Sequence, residues 1–403
     1  MTSDKRELQA IVVGGGPAGL TAAVALATGG VATVLVGRGP APGDNRTTAL
    51  LASSVTALET LGVWALCHAQ SAPLRFLRIV DDTGRLWRAP EVKFDAEEIG
   101  LEAFGWNIEN RVLVEALIAL AHTLPNLEIV EDEVLGVSTA PDHAAVELKH
   151  GGLLTAPLVV GADGHKSLCR EAALIDTDEH RYRQAALTVC FRHTRPHHDT
   201  STEFHTPSGQ CTVVPLPGNR SSLVWVLDPS VADETAALDD SELSLAIERA
   251  VHSILGKVTV EPGRGLFPLG VVTARSFGRD RIALVGEAAH VIPPVGAQGL
   301  NLGLRDAATI AELAAAARRE HHDIGGELVL ARYEKMRRAD VGSRTVAVDL
   351  LNRSLLTDFL PVQSARGLGL YMLDRIGPLR RAVMREGVAP RTAQPRLMRG
   401  EAL

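Results

Sequence analysis

The sequence predicts an α/β chain: a sheet of strand–helix–strand units, interrupted by a mainly antiparallel sheet and followed by a helical tail. Two observations carry this. Near the N-terminus an apolar strand over residues 10–13 runs into Gly14, Gly16 and Gly19, an apolar helix over 20–27 and a second strand over 31–36. From about residue 184 to 268 the pattern changes. Residues 186–193, 202–205, 211–216 and 222–227 alternate apolar and polar side chains between Pro/Gly turns, the period of half-buried antiparallel strands. At 403 residues the chain exceeds one ordinary core, so two domains are expected.

The first unit opens with G-x-G-x-x-G between a strand and a helix. Such glycines permit a tight turn, close approach to a pyrophosphate, and close helix–strand packing. Gly14, Gly16, Pro17, Ala18 and Gly19 therefore read as a Rossmann-type dinucleotide turn, with a glycine-rich turn in a ligand-free βαβ unit as the bland alternative. The second strand should end in Asp or Glu for a ribose hydroxyl, but the chain reads Val36-Gly37-Arg38. Arg38 is either a replacement contact to the ribose or a solvated surface charge.

Residues 75–80 and 85–89 flank Asp81-Asp82-Thr83-Gly84 as a hairpin. Helical spacing follows over 111–123, short strands over 127–130, 134–138 and 144–148, and a buried strand over 158–161. That strand ends in Gly161-Ala162-Asp163-Gly164, ahead of His165, Ser167 and Arg170; Asp163 is an N-cap or part of a nucleotide site. Asp240 or Ser241 caps a helix to about residue 255, and 281–285 re-enters the first sheet. The expected division is 1–72, 100–183 and 269–326 for the nucleotide domain, 73–99 and 184–268 for the inserted sheet, and 327–403 for a helical tail ending in a frayed Pro/Arg-rich stretch.

The most informative segment is 286–306, GEAAHVIPPVGAQGLNLGLRD. Small residues surround a Pro-Pro turn, then Gly296 and Gly299 precede a fresh helix from about Leu300. A helix N-terminus carries unpaired donors and partial positive charge, which suit an anionic ring or a phosphate. His290, just after a buried strand, reads as a packed structural residue rather than a general base. Net charge is −7, which argues against nucleic acid as a partner. Cys67, Cys169, Cys190 and Cys211 have no C-x-x-C spacing, so buried thiols are favoured over metal or disulfide. The polar N-terminus runs straight into the first strand, so no signal peptide is expected.

The order of the three motifs resembles the class A flavoprotein aromatic hydroxylases with the p-hydroxybenzoate hydroxylase fold, and within them the ubiquinone-biosynthesis hydroxylases. Asp44-Asn45-Arg46-Thr47-Thr48-Ala49-Leu50, Trp106 to Arg111, Gly303-Leu304-Arg305-Asp306 and the basic, leucine-rich end over 366–385 are similar to that branch. Two positions depart from it. The loop Pro293-Pro294-Val295-Gly296-Ala297-Gln298-Gly299 is nearer to p-hydroxybenzoate hydroxylase, and Glu287 stands where the third motif usually has Asp.

The resemblance implies a Rossmann-type FAD-binding domain with an inserted substrate-binding sheet. It implies NAD(P)H as a reductant bound transiently at a shared surface, O2 captured by reduced flavin as a C4a-hydroperoxide, and oxygen transfer to an activated aromatic ring. Gly14, Gly16 and Gly19 would admit the pyrophosphate, with Arg46 as a cationic contact and Arg38 and Arg111 in the same cofactor set. Asp163 and Glu287 would accept from ribityl or ribose hydroxyls or orient the loops that do. Backbone N–H groups of Gly299, Leu300 and Asn301 would face the flavin ring, Gln298 would assist or space the turn, and Pro293 or Pro294 would shape the pocket floor. No side chain is assigned as catalytic.

For the substrate, Val213, Pro215, Trp225 and Pro293 are the expected pocket. The strand start Ser208-Gly209-Gln210-Cys211 offers no cation, and a buried carboxylate without a partner is costly. A prenylated phenol therefore fits better than a benzoate. The tail over 368–383 interleaves Leu, Met, Ile and Tyr with Arg375, Arg380 and Arg381. It is read either as a surface helix for anionic lipid or a partner subunit, or as a helix packed on the flavin domain. A cytoplasmic protein, peripheral to the inner membrane surface, is the corresponding expectation. A flavin halogenase or prenyl-chain reductase, a soluble catabolic hydroxylase and a non-catalytic flavin-binding scaffold remain as alternatives; no W-x-W-x-I-P segment supports the halogenase.

Overall fold

The computed structural model describes residues 7–39, 46–84, 90–294, 296–356, 369, 371–372, 375–388 and 394–403, with 345–356 and 388 described by backbone alone. Asp44, Asn45, Val295, the strand expected over 85–89 and much of the tail segment lie outside the described residues.

In chain order the strands are β1 (Ala10–Val13), β2 (Thr33–Val36), β3 (Thr47–Leu51), β4 (Ala72–Pro73), β5 (Phe76–Asp81), β6 (Val92–Asp95), β7 (Gly105–Glu109), β8 (Leu127–Val130), β9 (Val134–Thr139), β10 (Ala144–Leu148), β11 (Gly152–Ala156), β12 (Leu158–Gly161), β13 (Thr177–His193), β14 (Thr200–Thr206), β15 (Gly209–Leu216), β16 (Arg220–Leu227), β17 (Val258–Ala274), β18 (Gly278–Arg279), β19 (Ile282–Leu284) and β20 (His290–Val291). The helices are α1 (Pro17–Thr28), α2 (Ala52–Thr60), α3 (Trp64–Cys67), α4 (Asn110–Ala121), α5 (Leu168–Ala172), α6 (Pro229–Ala237), α7 (Asp240–Ala250), α8 (Gln298–Arg319), α9 (Glu327–Leu356) and α10 (Gly377–Val388).

The first layer is the sheet β18-β19-β12-β1-β2-β8, parallel from β19 to β8. β1, β2 and β12 are buried along their whole length, as parallel strands covered on both faces must be. α1 is apolar nearly all round and buried from Gly19 to Ala27, because α4 and α8 pack against it. The fold is thus mixed α/β, as expected, with the parallel sheet joined to antiparallel ones.

The second layer is the eight-stranded sheet β20-β17-β13-β16-β15-β14-β5-β6. One face carries Leu187, Val189, Phe191, Phe204, Cys211 and Leu223 under α7. The opposite face turns to the small sheet β3-β7-β4. Asn107 Nδ2 donates to Pro215 O at 2.9 Å and Ser222 Oγ at 3.2 Å, and Thr47 Oγ1 donates to Ser222 Oγ at 2.9 Å.

Several expectations are corrected. β17 pairs with β13 through residue 268, where a domain boundary was expected, and β13 begins at Thr177 rather than near 184. Pro262 and Pro268 sit at or beside the register shifts of this pairing, where a missing N–H is tolerated. Asp239, not Asp240 or Ser241, caps α7: it accepts from Glu242 N at 2.8 Å in a capping box. The C-terminal stretch is not frayed after residue 394. Arg396–Arg399 forms a 3₁₀ turn, and Leu397 and Met398 are buried in the main core beside α2 and α8.

Candidate cofactor and substrate site

The first two glycine-marked turns interlock. Gly14 has φ +122°, and a Cβ there would overlap Ala162 O of the second turn. A Cβ on Gly19 would overlap Gly14 O, so α1 lies directly on the turn. A Cβ on Gly16 would meet nothing within 4 Å. Gly16 is the N-cap of α1, Pro17 follows it, and no side chain caps the helix, so the first-turn N–H groups face open space. Ala18 Cβ lies 3.3 Å from Cβ positions built on Gly286 and Gly303, which brings the third segment to the same place.

Asp163 braces the second turn. Its carboxylate accepts from Ser167 Oγ at 2.6 Å and Cys169 N at 3.1 Å. Ser167 in turn caps α5, accepting from Arg170 N at 2.9 Å. Arg170 Nη1 donates to Ala288 O at 2.9 Å and ties the second turn to the third segment.

A cavity of about 290 Å³ opens at this junction, lined by Gly14, Arg38, Asp132, Glu133, Asp163 and Lys166 among others. The end of β2 carries no acid of its own, but Glu133, just past the neighbouring strand β8, lies beside it and pairs with Arg38 at 2.7 Å. Lys149 and Arg38 hold its carboxyl below the usual range. Asp132 is already occupied. Burial pushes its carboxyl up, but hydrogen bonds from the His150 ring and from the N–H groups of Glu133, His150 and Gly151 outweigh that and bring it to about 2. Glu133 was not singled out because the fingerprint is read along the chain, whereas β8 neighbours β2 only in space. The sequence signal was Glu131-Asp132-Glu133 at a strand end.

The third segment ends in an uncapped helix start. Gly296 and Ala297 have φ of +64° and +55°, and α8 has no side-chain cap. The N–H groups of Gln298, Gly299, Leu300 and Asn301 therefore lack partners along the helix, and a Cβ on Gly299 would meet nothing within 4 Å. Asn301 is anchored instead through its side chain, accepting from Leu51 N at 2.8 Å and donating to Ala49 O at 2.8 Å. Gln298 donates to Gly296 O at 3.0 Å and accepts from Arg344 at 2.8 Å.

Beneath it Asp306 accepts from Gly286 N at 2.9 Å, His290 Nε2 at 2.7 Å and Arg337 Nε at 2.5 Å, fully buried. Burial would raise its carboxyl, but His290 and Arg337 hold it at about 2. His290 is thus a packed residue. Arg337 and Arg344 both reach Asp340, so a chain of ion pairs, closed at its ends by hydrogen bonds, runs from Gly286 to Gln298. Pro293 is buried; Pro294 and Glu287 are exposed. Arg111 sits half exposed between Glu109 and Glu115, and Arg46 O accepts from Asn110 N at 2.9 Å.

Comparison with known proteins gives this geometry a family. Residues 7–348 match the family model described as FAD binding domain. The ubiquinone hydroxylase UbiL of Rhodospirillum rubrum is 35% identical, over 98% of this chain and 93% of that protein. The chain belongs to the FAD-binding monooxygenases. The 3-demethoxyubiquinol 3-hydroxylase of Escherichia coli is 32% identical, over 96% of this chain and 99% of that protein. Among solved structures, p-nitrophenol 4-monooxygenase PnpA of Pseudomonas putida superposes with a TM-score of 0.78 at 20% identity, over 96% and 99% of the two chains. It shares the fold. FAD is the cofactor of this family, and the open Gly16 and Gly299 with their free backbone donors fit it.

The substrate side of the monooxygenase needs one correction. Val213 packs into the cluster under α7, and Trp225 lies against the same cluster; both point away from the flavin unit. Strand alternation puts their neighbours Thr212, Val214 and Val224 on the face of Ser222. Pro215 is buried and gives its carbonyl to Asn107. The sequence showed which residues share a face, but not that α7 covers that one.

Proposed function

We propose that this monooxygenase hydroxylates the ring of a prenylated phenol in ubiquinone biosynthesis, with NAD(P)H as transient reductant and O2 as co-substrate. The observation that carries the reading is the flavin-facing side of the large sheet, where Val214, Val224 and Val226 alternate with Thr212 and Ser222. The arginines on this face, Arg192 and Arg220, are both held by Glu261, and Arg220 also by Glu109. Neither is left for a substrate carboxylate. The named activities of the relatives agree with a quinone-precursor ring.

Bound and reduced, FAD supplies the electrons that activate O2 for insertion of one oxygen atom into the ring. The chain's own residues do the rest. Gly16 and the first turn of α1 receive the pyrophosphate. Arg38 and Glu133 would hold the adenosine end, with Arg46 as an outer cationic contact, whereas Arg111 is taken up by Glu109 and Glu115. The N–H groups of Gly299, Leu300 and Asn301 stabilise negative charge on the ring. Asp163 orients its loop, exposed Glu287 would accept from ribityl or ribose hydroxyls, and Pro293 and the valines keep water from the reacting ring.

Peripheral membrane association belongs to the same reading. Met372, Ile376, Leu379 and Val383 are exposed at helical spacing on and before α10, beside Arg375 and Arg381, an arrangement suited to anionic lipid. Among the described residues no helix is long and apolar enough to cross a membrane.

The test is genetic and chemical. Deleting the gene should accumulate an under-hydroxylated prenylated quinone precursor. The purified protein should hydroxylate a short-prenyl phenol in preference to 4-hydroxybenzoate. Turnover confined to the acid would overturn the reading.

A further inference from the structure

We infer that Gln210 and His205 form a recognition site for a neutral ring hydroxyl. The inference rests on the reading that this face of the sheet receives an aromatic substrate. The two residues are direct partners across the antiparallel pair β14–β15, which places their Cβ atoms about 4.5–5.5 Å apart. Their chain neighbours Phe204 and Cys211 are buried in the cluster under α7, so His205 and Gln210 point to the opposite, flavin-facing side.

Each is 3% exposed, yet Gln210 Nε2 and His205 Nδ1 have no hydrogen-bond partner. Buried polar atoms nearly always have one. Two orphans on directly paired residues therefore mark a place where something else bonds.

The chemistry of that partner follows from the groups. His205 Nε2 sits 2.7 Å from Glu203 Oε1 and donates to it. A neutral imidazole then presents Nδ1 as an acceptor. Gln210 Nε2 presents a donor. A hydroxyl satisfies both at once, donating to Nδ1 and accepting from Nε2. A carboxylate satisfies only the donor and meets the negative Glu203, with Asp81 as the register partner of His205 on β5. The site thus selects a phenolic hydroxyl and rejects an acid, so the missing arginine and the acidic neighbour act in the same direction.

The test uses the FAD-loaded protein and reads ligand binding from the perturbed flavin spectrum. The probes are a short-prenyl phenol, the same ring lacking the hydroxyl, and an unprenylated pair of the same kind. Wild type should prefer the hydroxyl-bearing ring about tenfold or more. Gln210→Leu and His205→Phe should each reduce that preference to within about threefold, while binding of the deoxy ring changes little. Glu203→Gln should improve 4-hydroxybenzoate binding severalfold. Should the His205 variant fail to fold, Gln210→Leu alone decides. An unchanged hydroxyl preference in the variants would mean that water alone satisfies these atoms and would overturn the inference. Rejection of both prenylated rings with normal behaviour of the unprenylated pair would instead sink the substrate reading and leave this site standing.

Discussion

Two glycines two residues apart in the same turn have opposite demands. Gly14 is fixed by the fold itself: its φ is +122°, and a Cβ would strike Ala162 O. Gly14→Ala is expected to lose folded protein. Gly16 has open space in front of it, so Gly16→Ala should fold with an unchanged apoprotein melting temperature. It should still weaken FAD binding about tenfold in a fluorescence titration, roughly 1.4 kcal/mol, because the new methyl stands where the pyrophosphate comes in. Equal FAD affinity would place the pyrophosphate elsewhere.

Asp306 gives a pH prediction at the same scale. Its carboxyl lies at about 2 in the folded protein against the usual 3.8. A depressed carboxyl stabilises the fold above its unfolded value, and that stability drains away as pH falls from about 4 through about 2. Asp306→Asn should remove this part of the acid dependence in denaturant titrations. It should also cost up to about 3 kcal/mol at neutral pH, because buried Arg337 loses one of its two carboxylate partners and keeps only Asp340. A variant that keeps the wild-type acid profile would show that other carboxylates set it.

At the level of elements, legibility followed the range of the interactions. The β1–α1–β2 unit was readable because its glycines, apolar strand and apolar helix act on neighbours in sequence. β17 was hidden because Pro262 and Pro268 are turn signals until β13 supplies a strand whose register shifts accommodate them. Glu133 and the facing of Val213 were hidden for the same reason: β8 beside β2, and α7 over β15, are facts of space. The C-terminal turn was misread because arginine-rich composition outweighed Leu397 and Met398, which the fold buries. Leu397→Ala should therefore lower stability by about 2–5 kcal/mol, visible as a reduced melting temperature. A neutral effect would return that segment to the surface.

For the whole molecule, the exposed apolar stripe on and before α10 is the surface on which the proposed membrane docking of a chain of net charge −7 rests. Arg380 and Met384 hold the helix inward, through Glu98 and the small cluster around Phe94, while Ile376, Leu379 and Val383 stay exposed. Co-sedimentation with anionic vesicles should be clear at low salt and reduced at high salt, as screening weakens the arginines. Leu379→Asp should abolish it without changing FAD content. No binding at either salt concentration would remove membrane docking from the account and leave the cofactor site untouched.

Everything rests on three distant turns meeting around one bound nucleotide, and the visible spectrum of the purified protein tests this most directly. Wild type, supplied with FAD, should show oxidised-flavin bands at about one cofactor per chain, and Gly16→Ala a folded protein that needs about tenfold more FAD to reach the same occupancy. A wild-type protein that stays colourless and takes up no added FAD would contradict the account.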